Sequence, residues 1–80
     1  MPLNQTWSKP VTLSFAASGA QVVTGPFEAL IHLTDHWPHR GGLKFVKARS
    51  ACRAAIDGRK SVEDARLEFE EAAKEAQAIG

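Results

Sequence analysis

A single cysteine, Cys52, stands among the 80 residues, so no disulfide can form within the chain. Its stability has to come from packing or from association, and a lone thiol suits a reducing compartment. Long apolar runs are missing as well. Nothing approaches the roughly 18–20 residues of a membrane span, and the N-terminus has no basic stretch leading into an apolar segment and a cleavage site. A cytoplasmic protein that does not enter membranes is expected. Sequence signatures of catalysis are equally scarce: there is no phosphate-cradling P-loop, no dinucleotide fingerprint and no G-x-S-x-G elbow. These absences weigh against an enzyme without closing that possibility, and no cofactor is called for.

What is present is the composition of an ordinary globular domain, 44% apolar and 24% charged. Eighty residues make one domain spanning 1–80, with residues 1–9 expected to be a loosely ordered lead-in. At this length folding removes only about 60% of the unfolded chain's surface from water. The core will be small, which makes oligomerisation a live expectation.

The net charge of +1 conceals a segregation. From Arg40 to Lys60 seven cations (Arg40, Lys44, Lys47, Arg49, Arg53, Arg59, Lys60) face one acid, Asp57, a local +6. From Ser61 to Gly80 six acids (Glu63, Asp64, Glu68, Glu70, Glu71, Glu75) face Arg66 and Lys74, a local −4. Adjacent segments of opposite sign complement each other, within one chain or between two.

Local patterns imply an α+β fold of order ββααα. The segment VTLSF alternates, with Val11, Leu13 and Phe15 on one side, and a turn at Ser18-Gly19 leads to a second β-branched run. A two-residue turn would pair Phe15 with Val22 and Leu13 with Thr24. A first helix opens with Thr24 or Gly25 as cap and Pro26 at its first position, and closes at Pro38. Helical spacing puts Phe27, Leu30, Leu33, Thr34 and Trp37 in one stripe flanked by Ile31, with Glu28, His32, Asp35 and His36 opposite. A second helix buries Phe45, Ala48, Cys52, Ala55 and Ile56 and ends at Gly58. A third, capped by Ser61, carries an alanine-rich stripe of Val62, Ala65, Phe69, Ala72, Ala73, Ala76 and Ile79. The hairpin, marginal alone in water, is expected to lie on the helices.

Chemistry has few candidates. Glu28, His32 and His36 repeat at i, i+4, i+8, and histidines four apart can hold a divalent metal, although a Glu-His pair on a solvated helix face needs no function. His39 reads as a loop residue. Trp37 reads as an anchor closing one end of the core, with ligand stacking as its alternative. Cys52 sits among alanines on an apolar face, which raises a thiol's pKa and argues against a nucleophile. Val46 and Leu67 project away from their helices' apolar stripes and are candidates for contact with a partner. The basic segment 40–60 spreads its charges around the second helix, and a helix-turn-helix reading would present the acidic third helix to the phosphates. Nucleic acid is therefore disfavoured as a partner.

So arranged, the chain resembles the DUF982 family of small bacterial domains of unknown function, found largely in plant-associated soil bacteria. The likeness runs from about Trp7 to Ile79. It rests on Pro10-Val11, the EAL of Glu28 to Leu30, Trp37-Pro38, Ala48 before Cys52, Gly58, Ala65-Arg66, Phe69 and Ala72-Ala73. The resemblance implies a short chain, often standing alone, with no assigned activity, cofactor or substrate. It singles out Arg66 as the one matching position not already given to packing or turns. That residue could bond an acid or a helix C-terminus, or could hold an anionic ligand.

The sequence thus points to a non-enzymatic protein-interaction or ligand-binding module acting as a homodimer through the hairpin edge or a helix face, with Arg66, Trp37 and Leu67 as possible contacts. An unidentified protein partner is a further expectation. The alternatives are a small metal-dependent enzyme using the His32 and His36 face, and an anion or nucleic-acid binder using segment 40–60.

Overall fold

The computed structural model describes residues 6–15, 19–35, 37 and 42–76. Its elements are β1 (Val11–Phe15), β2 (Gly19–Val23), α1 (Pro26–Asp35), α2 (Leu43–Ile56) and α3 (Val62–Glu75). A two-stranded antiparallel hairpin precedes three helices, the expected ββααα order.

The hairpin register departs from the expected one. Val11 pairs with Val23, Leu13 with Gln21, and Phe15 with Gly19, so residues 16–18 connect the strands where two residues had been expected. Gly19 has φ 72°, a left-handed conformation that glycine adopts without a Cβ penalty, and it heads β2 instead of sitting inside the turn. The shift against the expected pairing is an odd number of residues, which exchanges the faces of β2. Val23 is consequently buried beside Val11 and Leu13, while Val22 is 56% exposed.

Helix α1 starts with the Ala29 amide donating to the Gly25 carbonyl at 3.0 Å. Glu28 reaches back to accept from the Thr24 amide and hydroxyl at 3.0 and 3.1 Å, and its charge suits the positive helix start. The buried side of α1 is Pro26, Ala29 and Leu33, with Leu30 packed partly against the core. Phe27, placed in the apolar stripe from spacing alone, is 65% exposed, and Thr34 is also exposed. Ala29 takes the inner position because a methyl group allows close approach to the neighbouring elements, whereas Phe27 falls about 160° away from it.

Helices α2 and α3 follow expectation closely over the described residues, with Ile79 of the expected α3 stripe lying outside them. Beyond α2, Gly58 (φ 82°) donates to the Ala55 carbonyl at 3.1 Å, and Arg59 donates to the Ala54 carbonyl at 2.8 Å. These are the two bonds of a glycine C-cap. Ser61 caps α3 by accepting from the Asp64 amide at 3.0 Å. The alanines of α3, with Ala48, Ala51 and Ala55 of α2, are buried and let the two helices pack tightly. Lys44 of α2 lies 3.8 Å from Glu71 of α3, and Glu75 lies against Gly42 at the start of α2. The helices are therefore antiparallel, and Glu75 supplies a negative charge at an α2 N-terminus whose own first turn has none.

At the centre sits Phe69, fully buried. Trp7 packs on it with ring centroids 5.5 Å apart, and Trp37 at 5.4 Å, both in tilted arrangements favourable for aromatic pairs. Of residues 1–9, expected to form a loose lead-in, residues 1–5 lie outside the described residues, and Trp7, Ser8 and Lys9 are tied to the fold. The Trp7 amide donates to the Thr24 carbonyl at 2.7 Å, Ser8 donates its amide and hydroxyl to Glu63 at 3.0 and 3.3 Å, and Trp7 is 5% exposed. A lone tryptophan has no periodicity to reveal that it is core. Its indole N–H is buried without a partner among the described residues, a cost of about 1–3 kcal/mol that ring burial offsets.

Candidate functional site

The residues singled out from sequence do not converge on one site. Trp37 is 5% exposed and fills the core against Phe69, so its ring is not displayed for stacking on a ligand. Arg66, its side chain 17% exposed, donates from Nε to the Lys9 carbonyl at 2.8 Å and lies 3.7 Å from Glu70. Its guanidinium fastens the N-terminal segment to α3 through the Lys9 carbonyl, a partner that is neither the helix C-terminus nor the acid of a following element that was expected. Glu63, Arg66 and Phe69, at helical spacing on α3, together hold residues 7–9. Cys52 is buried, and desolvation pushes its thiol from 9.0 to about 12, so no thiolate is available near neutral pH.

The proposed metal ligands are only partly within the described residues. Glu28 is exposed with one carboxylate oxygen occupied by Thr24, His32 is half-buried, and His36 lies outside, as do His39 and Arg40. Among the described residues no group of three or more metal-ligating side chains gathers.

The surface is more informative. Among the described residues six large apolar side chains are well exposed: Val22 (56%), Phe27 (65%), Ile31 (43%), Leu43 (67%), Val46 (52%) and Leu67 (55%). Val46 and Leu67 had been picked out as projecting away from the core. The others were missed, Phe27 because it was assigned inward and Leu43 because it opens a helix. They fall in two regions. Val22 and Ile31 line a depression of about 270 Å³ with Gln21, Glu28 and His32, and Phe27 sits one helical turn from Ile31. Leu43 and Val46 lie on α2, where Val46 lines a groove of about 340 Å³ with Lys47, Ser50, Ala51, Ala54, Lys60 and Glu68. Leu67 lies on the adjoining helix. A further depression of about 230 Å³ between α1 and α2 is lined by Leu33, Thr34, Phe45 and Arg49. Small-molecule sites usually offer about 300–1,000 Å³ of enclosed space, and these openings are shallow and mostly at or below that lower bound. No helix among the described residues is long and apolar enough to cross a membrane.

A filled aromatic core, an arginine bonded to the N-terminal segment and apolar side chains turned outward define, among the described residues, a small α+β domain. The chain belongs to the DUF982 family, described as a protein of unknown function, whose family model matches residues 9–79. It is similar in structure to the Agrobacterium tumefaciens protein Atu1219, a structural-genomics target solved by NMR. The two are 34% identical with a TM-score of 0.81 over all of this chain and 81% of that one. No curated protein matches.

Proposed function

We propose that this chain is a non-enzymatic protein-interaction module whose working form is a homodimer. The observation that carries this reading is the set of six large apolar side chains exposed among the described residues of a domain of only 80 residues. Burying them would add to a core that is small in a chain of this length. Trp37 and Arg66, the residues best suited to gripping a small ligand, are committed to packing and to the N-terminal segment, which favours protein recognition over ligand binding. Light scattering tests the reading. At tens of micromolar the mass should approach twice the 8.7 kDa of one chain and fall on dilution. A constant monomer mass over that range would contradict it.

A further inference from the structure

The α2 and α3 outer surfaces differ in sign but share one face of the molecule. Along α2, Leu43, Val46, Ser50 and Ala54 recur at i, i+3, i+7 and i+11, the spacing of a contact stripe. Lys47, Arg49 and Arg53 flank that stripe and are exposed, and they take part in no ion pair among the described residues. Along α3, Leu67 is surrounded at helical spacing by Glu63, Asp64, Glu70, Glu71 and Lys74.

The alignment of the two helices is known from their contacts. Lys44 lies beside Glu71, and one turn further along each helix Lys47 and Glu68 line the same groove. A two-fold axis lying in the plane of contact, parallel to the two helices and midway between them, sets α2 of one copy on α3 of the other with each residue kept at its own level along the helices. Lys47 then lies over Glu68 of the second copy, Val46 comes within two residues' rise of the level of its Leu67, and Arg53 approaches its Glu63. Both halves of the contact are satisfied by the same operation, as an isologous interface requires. The groove also carries both signs itself, since Glu68 stands with Lys47 and Lys60, so a polyanion entering it would meet a carboxylate. We infer that the outer face of α2 and α3 is the surface that receives a second copy of this chain, with Val46 against Leu67 at its centre and Lys47 against Glu68 setting its register. This inference rests on the homodimer reading above and adds its geometry.

Charge exchange tests it. Sedimentation equilibrium is run on the wild type, Lys47→Glu, Glu68→Lys, the double variant carrying both changes, and an equimolar mixture of the two single variants, with circular dichroism confirming that each folds. Each single variant places like charges opposite one another and should weaken self-association at least about tenfold. The double variant and the mixture restore opposite charges and should recover it, and recovery in the mixture, where neither chain regains an opposite pair of its own at these positions, is a rescue that a merely structural role for either residue would not produce. Dimers of undiminished affinity in both single variants would overturn the α2–α3 interface while leaving the homodimer reading intact. A wild type that stays monomeric at hundreds of micromolar would overturn both. Salt-dependent binding of a duplex oligonucleotide that Lys47→Glu abolishes, with dimerisation unaffected, would assign the face to a polyanion and overturn the inference.

Discussion

Helices α1 and α3 are both amphipathic, yet only one of them declares its inner face. On α3 the apolar residues are three alanines, Val62, Leu67 and Phe69, the other eight positions are charged, and of the apolar ones only Leu67 points away from the rest, so a single side can be buried. Ala65, Phe69, Ala72 and Ala73 are all inside. On α1 four large apolar residues, Phe27, Leu30, Ile31 and Leu33, span about 160° at 100° per residue, more than one contact can cover. The small residue decides: Ala29 marks the direction from which neighbours approach, Leu33 follows it inward, and Phe27 and Ile31 are left outside. An alanine among large apolar residues is thus a better guide to the packed side than the largest residues are.

The strongest way to break that contrast is at the centre. Phe69→Ala removes the ring on which Trp7 and Trp37 both pack and should destabilise by about 3–5 kcal/mol, enough to unfold much of a domain this small in a urea titration. A pair of truncations sharpens it. Leu33→Ala should cost about 2–5 kcal/mol, whereas Phe27→Ala, on the same helix and larger, should change stability by no more than about 0.5 kcal/mol. Equal losses in thermal melts would mean that the inner face of α1 is wrongly placed.

The hydrogen-bonded ends of the helices were legible because their signals are local. Ser61 three residues before Asp64 and a glycine after the last apolar position of α2 need no knowledge of the rest of the chain. Contacts distant in sequence were not legible. Ser8 to Glu63 spans 55 residues and Arg66 to Lys9 spans 57, so neither the order of residues 6–9 nor the use of Arg66 could be read from spacing. The hairpin register failed for a related reason: Val22 and Val23 are chemically alike, and only the connection length decides which of them faces inward. Of the candidate surface, Val46 and Leu67 were visible as apolar residues on polar faces. Their alignment required knowing that Lys44 meets Glu71.

Smaller effects follow from the same local features. Ser61→Ala deletes the side-chain acceptor for the Asp64 amide and should cost about 1 kcal/mol, measurable by chemical denaturation. Cys52 should leave stability independent of pH across the neutral range. Its folded pKa, about 12, is raised above the usual 9.0, so its contribution is intact below pH 9 and declines as pH rises from there towards 12, where the unfolded thiol ionises first. A Cys52→Ala variant should show a shallower decline over that window; an identical decline would place the titrating group elsewhere.

The comparison between the two exposed apolar regions is tested most directly by amide NMR spectra recorded during dilution. If α2 and α3 receive the second copy, shifts should change with concentration at Val46, Lys47, Ser50, Leu67 and Glu68 and stay constant at Val22, Phe27 and Ile31. Concentration-dependent shifts confined to Val22, Phe27 and Ile31 would contradict that assignment and move the interface to the hairpin and α1.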